Sequence, residues 1–168
     1  AFSGCTKLSS LTLGAGIKKI DAEAYKNIDT LTEIIISEGI TEIGEKAFFD
    51  CDNITTIVLP STLKTLGDSA FESCDALVNV TILNGLETIG ANAFSVTGLN
   101  DVYYAGSENS WKDVRNYYDI RATVHYGEEN SYSGTCGDNL TWTYWEQRQL
   151  LEITGTGAMT DWTSSSKT

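Results

Sequence analysis

Apolar positions return along this chain at a fixed interval. Ala-Phe pairs stand at 1–2, 47–48, 70–71 and 93–94, and Ala24-Tyr25 fills the remaining place, so the interval is 23 residues throughout. Alignment at that interval gives an apolar column of Leu8, Leu31, Ile54 and Leu77. Two more follow: Leu11, Ile34, Ile57, Val80 and Leu13, Ile36, Leu59, Ile82. One position separates these two columns, which is the period of a strand burying a single face. Each copy then carries a second apolar pair, Ile17 and Ile20, Ile40 and Ile43, Leu63 and Leu66, Leu86 and Ile89, which predicts a second short strand or extended turn. Gly44, Gly67 and Gly90 share the next column, where a tight turn with positive φ is expected. Asp21 holds that place in the earliest complete copy, and Asp tolerates the left-handed region. The Ala-Phe step is expected in a short helical turn, with Ala admitting close backbone approach and Phe filling the core.

A unit this small cannot bury its apolar face alone. Neighbouring units must stack, and stability becomes a sum of unit and interface terms. The fold expected is therefore a solenoid, mainly β with short helical turns. Each copy carries L-x-x-L-x-L, the strand signature of a leucine-rich repeat, whose units run to about 20–29 residues.

The fuller pattern C-x-x-L-x-x-I-x-L-P…I-x-x-I-G-x-x-A-F-x-x-C is nearly intact from Cys51 to Cys74 and resembles the BspA-like leucine-rich repeats. The resemblance spans residues 1–126. It implies a secreted or surface-anchored microbial protein with roles in adhesion and in binding host or partner macromolecules. Ile28 and Thr97 depart from the pattern where it has Cys, Tyr25 where it has Phe, and only Pro60 keeps the strand-ending Pro.

Domain organisation follows the rhythm. Residues 1–98 form an array of about four repeats that opens in mid-repeat, so a fragment of a longer polypeptide is expected. The last copy is one residue short before Leu99, and the 23-residue rhythm then stops. Residues 99–127 are expected to cap the array: a strand through Leu99, Val102 and Tyr104, a short helix from Ser107 to Val114 with Ser107 as N-cap, and a closing strand at Ala122–Tyr126. Trp111, Val114 and Tyr118 fall on one helical face. The aromatic group Tyr103, Tyr104, Trp111, Tyr117, Tyr118 and Tyr126 suits a lid over the open core better than a sugar platform, since terminal repeats need covering. Residues 128–168 read as a linker and a small β-hairpin module: Ser133–Asn139 leads into a strand at Leu140–Tyr144, answered by Leu150–Thr154. Its sequence resembles a short module that opens arrays in such surface proteins.

Charge and cysteine content narrow the function. The formal charge of −12 argues against nucleic acid, which recruits clustered Lys and Arg. No apolar run approaches the roughly 18 residues of a membrane span. Cys5, Cys51 and Cys74 share one column, so they are expected to be small buried hydrophobes rather than disulfide partners, because their Cβ vectors run parallel. Cys136 stands apart.

Motifs that carry chemistry are missing from the sequence. No G-x-S-x-G elbow, phosphate loop or H-E-x-x-H pattern occurs, and the single histidine, His125, is expected to be structural or exposed. No enzyme activity and no cofactor are expected. Asp29, Asp52 and Asp75 recur at the repeat interval and would repel across adjacent strands. They are expected to cap their own turns. A calcium ladder is the alternative, but calcium takes about six to eight oxygens and no second acidic column lies in register. The N-x-T matches at Asn53, Asn79 and Asn139 carry little weight.

The binding positions expected are the outward ones of the repeat strand. One column is Thr12, Ile35, Val58 and Thr81; beside it run Ser10, Glu33, Thr56 and Asn79. Ile35 and Val58 make a small apolar centre with a polar rim, suited to a protein partner. The lack of aromatic residues there weighs against carbohydrate. The function expected is a non-catalytic extracellular or cell-surface binding or adhesion module, contacting a host or matrix protein or another surface macromolecule. A structural spacer, or an accessory module of a secreted enzyme, remains as the alternative.

Overall fold

The structure is a computed structural model. It describes residues 2–14, 16–96 and 98–127, and the backbone of three strands between residues 131 and 155. The chain divides into two compact units, Ala1–Gly127 and Glu128–Thr168.

The first unit is a solenoid with little helix. Its repeat strands are β1 (Ser10–Leu13), β3 (Glu33–Ile36), β5 (Thr56–Leu59), β7 (Asn79–Ile82) and β9 (Asp101–Tyr104). The second apolar pair of each copy ends in a two-residue strand: β2 (Lys19–Ile20), β4 (Glu42–Ile43), β6 (Thr65–Leu66) and β8 (Thr88–Ile89). These four pair in parallel as one sheet in chain order. The alternation resolves as predicted in β3, β5 and β7, with Ile34, Ile36, Ile57, Leu59, Val80 and Ile82 buried and the intervening side chains facing out, whereas in β1 Leu11 is only half-buried.

At the Ala-Phe edge the aromatic column stacks as a ladder. Phe2–Tyr25, Tyr25–Phe48, Phe48–Phe71 and Phe71–Phe94 have ring centroids 5.6, 5.3, 5.1 and 5.6 Å apart and nearly parallel planes. Each such pair contributes about 0.5–1.5 kcal/mol beyond the area it buries. The backbone here is a run of turns rather than helix. Ala47 N–H donates to Gly44 and Phe49 N–H to Lys46, but Lys46 and Asp50 are left-handed, with φ of 54° and 58°. Alternate N–H groups are thereby turned out of the coil: Lys46, Phe48 and Asp50 donate to the carbonyls of Asp68, Ala70 and Glu72 at 2.9 Å. Bonds within a coil alternate along this edge with shorter bonds between coils.

The glycine column corrects an expectation. Neither Gly44, Gly67 and Gly90 nor Asp21 has positive φ. Space is the constraint instead: a Cβ on Gly67 would lie 2.6 Å from the Glu45 nitrogen, and one on Gly44 2.7 Å from the Ala22 nitrogen. Glycine stands there because the previous coil's backbone occupies the place of a side chain. The left-handed positions fall two residues later, on Glu23, Lys46, Ser69 and Asn92.

Cys51 and Cys74 are fully buried, and their thiols donate to the carbonyls of Tyr25 (3.2 Å) and Phe48 (3.1 Å). Burial above all pushes the Cys51 thiol up to about 11 and the Cys74 thiol higher still. The three described cysteines are free. Cys5, expected to be buried with them, is exposed, because among the described residues no coil packs beneath it.

At the other end, helix α1 (Glu108–Lys112) starts where the sequence places it, with the Ser107 hydroxyl accepting from the Ser110 N–H at 3.1 Å. Trp111 and Val114 are buried, and Trp111 packs on Tyr104 with centroids 4.9 Å apart. A 3-10 helix (Tyr117–Asp119) follows, and β10 (Thr123–Tyr126) pairs in parallel with β9. The side chain of Tyr118 lies outside the described residues, as does Cys136. Tyr104 and Trp111 plug the core and offer no platform to a sugar.

In the second unit, β11 (Ser131–Thr135), β12 (Leu140–Trp145) and β13 (Leu150–Gly155) form an antiparallel sheet in that order, with Leu140 opposite Gly155. β11 is a strand where the sequence reading had only a lead-in.

Candidate functional site

The outward faces of the repeat strands form one surface whose columns follow from strand register. β1 pairs with β3, placing Thr12 beside Ile35 and Ser10 beside Glu33. β5 pairs with β7, placing Val58 beside Thr81 and Thr56 beside Asn79. Ile35 and Val58 are about half exposed, at 48% and 51%. The structure thus puts all seven candidate residues on the same face.

The columns run further than the 23-residue rhythm suggests. β7 pairs with β9, and β9 with β10, at an interval of 22 residues. Tyr103 and His125 therefore extend the Thr81 column, and Asp101 and Thr123 extend the Asn79 column. The Tyr103 and His125 rings stack with centroids 4.8 Å apart, and His125 Nε2 lies 2.7 Å from the Asp101 carboxylate. The face is not free of aromatic residues after all. The signal was present, because the one-residue shortening before Leu99 is the change of interval that brings Tyr103 into register.

A gap divides this face. β1–β3 and β5–β7–β9–β10 are separate sheets, and no ladder joins β3 to β5. At the equivalent seams the residue after the strand donates back to the previous coil: Ser37 to Leu13, Leu83 to Leu59 and Ala105 to Ile82, at 3.1, 3.0 and 2.9 Å. Pro60 occupies that place in β5's coil and has no N–H to give. A side chain bridges instead. The Glu38 carboxylate accepts from the Ser61 N–H (2.9 Å), the Ser61 hydroxyl (3.0 Å) and the Thr62 N–H (3.2 Å). Burial pushes this carboxyl up, but the donors at Ser61 and Thr62 outweigh it and hold it below the usual carboxylate range. The gap lies between the two most exposed apolar residues of the face, Ile35 and Val58.

Asp29, Asp52 and Asp75 stand in an exposed column away from the strand face. Partial burial, and then Asp50, raise the Asp52 carboxyl, while the Asp75 N–H donates to it and opposes that shift. Among the described residues no three His, Cys, Asp or Glu side chains are grouped to hold a metal ion. Asn53 donates its amide to the Asp29 carbonyl. No helix among the described residues is long and apolar enough to cross a membrane.

The family model for the BspA type leucine rich repeat region, in 6 copies, matches residues 1–118. Solved structures share the fold. A leucine-rich repeat protein from Bacteroides ovatus ATCC 8483 aligns with a TM-score of 0.61 at 23% identity, over 73% of this chain and 32% of its own. The leucine rich repeat protein of T. pallidum gives 0.59 at 32% identity, over 61% and 49%. A leucine rich cell surface protein from Faecalibacterium prausnitzii A2-165 gives 0.57 at 25% identity, over 88% and 39%. This chain spans a third to a half of the length of these neighbours. No curated protein matches it at a significant level. Stacked repeats of this kind generally bind other proteins through the broad surface of the array.

Proposed function

Because the chain belongs to the family of BspA-type leucine-rich repeats, we propose that it is a non-catalytic binding module, displayed outside the cell, whose strand face takes a protein of the host, the matrix or another cell surface. The observation that carries this reading is the column Thr12, Ile35, Val58, Thr81, Tyr103 and His125. It sets an exposed aliphatic pair and an aromatic pair along one face, inside a rim of Ser10, Glu33, Thr56, Asn79 and Asp101. Interfaces combine an apolar or aromatic centre with a polar rim in this way. Two acidic side chains and no Lys or Arg lie in these two columns, and the one histidine, His125, is bonded to Asp101, so a neutral or basic partner patch fits best. A surface location is supported by the family and by the surface protein from F. prausnitzii, which shares the fold.

The test is binding of the 168-residue chain to a panel of immobilised matrix proteins and glycans, with the Ile35→Lys/Val58→Lys double variant alongside. A saturable signal to a protein, lost in the variant while its unfolding midpoint holds, is expected. No saturable signal, or one indifferent to the variant, overturns this reading in favour of a spacer.

A further inference from the structure

The turn edge of the solenoid has a polarity that the strand edges lack. In each pair of adjacent coils, alternate N–H groups of one turn donate forward to carbonyls of the next; Ser69, Phe71 and Ser73 give theirs to Ala91, Ala93 and Ser95 at 2.9, 2.8 and 3.2 Å. Every donor points toward the C-terminal end and every acceptor toward the N-terminal end. The peptide dipoles therefore add along the stack, as they do along a helix, and successive N–H groups alternating with left-handed residues form an anion-binding concavity.

The next donors in the series are Asn92 and Phe94. Asn92 is left-handed, with φ of 58°, like Lys46 and Ser69 before it, so the row keeps its geometry. Among the described residues no acceptor meets either N–H. The reason lies in the cap. The chain follows the second-strand row as far as Arg115, whose carbonyl accepts from Ile89, and then leaves for the 3-10 helix, so among the described residues no further carbonyl row is laid down. Val96, third in the series, turns its N–H onto Phe94. In place of a coil there is a cavity of about 330 Å3 lined by Asn92, Phe94, Ser95, Val96, Asp119 and Arg121. Arg121 makes no ion pair among the described residues.

We propose that this cavity is an oxyanion site, in which oxygens of a carboxylate, sulfate or phosphate take the Asn92 and Phe94 N–H groups as the carbonyls of a coil do elsewhere. The Arg121 guanidinium supplies the compensating charge, and Asp119 on the rim keeps the affinity modest. This site is separate from the strand face and does not depend on its role.

The test is a titration of the 15N-labelled 168-residue chain with sodium sulfate in one arm and sodium acetate in the other, at ionic strength held constant with chloride. Saturable movement of the Asn92 and Phe94 amide signals in either arm is expected, and the arm saturating at lower concentration identifies the group preferred. Arg121→Ala weakens binding about tenfold, the loss of one charged hydrogen-bond partner. Asp119→Asn tightens it about threefold by removing a like charge at the surface. Amides that stay still or move without saturating overturn the proposal, as does an Arg121→Ala chain that binds as the parent does.

Discussion

Phe2 and Phe71 occupy the same column of the repeat, yet their surroundings have little in common. Phe71 is fully buried between the rings of Phe48 and Phe94, whereas Phe2 is 56% exposed and, among the described residues, stacks on Tyr25 alone. The cysteines divide in the same way, Cys51 and Cys74 sealed and Cys5 open. Ile17, at the first coil, is exposed while its column mates Ile40 and Leu63 are buried. A column of the repeat specifies a side chain suited to burial, and only a neighbour on each side supplies it. Stability here resides in interfaces between coils.

That contrast can be broken most severely at Phe71. Phe71→Ala should cost about 3–5 kcal/mol, as for a fully buried aromatic, against less than about 1 kcal/mol for Phe2→Ala. Urea unfolding of the two variants measures the difference, and equal losses would refute the view that interfaces carry the stability. Thiol chemistry gives the next effect. A pKa of about 11 leaves Cys51 about a hundredfold less thiolate than an ordinary cysteine, and burial blocks access as well. Alkylation under native conditions, mapped by peptide mass spectrometry, should mark Cys5 and leave Cys51 and Cys74 unmarked.

A glycine pair sharpens the same comparison. Gly67→Ala drives a methyl into the Glu45 and Gly44 backbone and should cost about 1–3 kcal/mol. Gly14, in the first coil, has nothing within 4 Å of a built Cβ, so Gly14→Ala should be neutral or stabilise by about 0.5 kcal/mol. The smallest effect falls at Glu38, which bridges an interior seam from the surface. Its folded pKa lies below the unfolded value of about 4.3, so its contribution is complete above that pH and fades as pH falls through the folded value. Glu38→Gln should cost under about 1 kcal/mol at neutral pH and progressively less as pH falls through the folded value, which denaturant melts across an acid pH series would register.

The repeat positions were legible because each is set by a period. Leu59 and Ile82 had to face inward once their interval and alternation were read, and Ser107 had to cap a helix once Trp111 and Val114 fell on its face. The turn glycines were misread because a glycine column has two physical causes, positive φ and close approach, and the sequence writes both with the same letter. Tyr103 was missed on the binding face because a one-residue shortening was read as an end of the array rather than a shorter step.

The sequence by itself determined the stack: a 23-residue period of apolar columns has no way to leave water except by laying one coil on the next. Tertiary structure alone decided what depends on contact across coils. It let the strand columns continue through Tyr103 and His125, opened the ladder at Pro60 with Glu38 across the seam, and left the Asn92 and Phe94 N–H groups with no coil among the described residues to receive them. A period fixes what each unit offers its neighbours, and the neighbours present fix which offers are taken up.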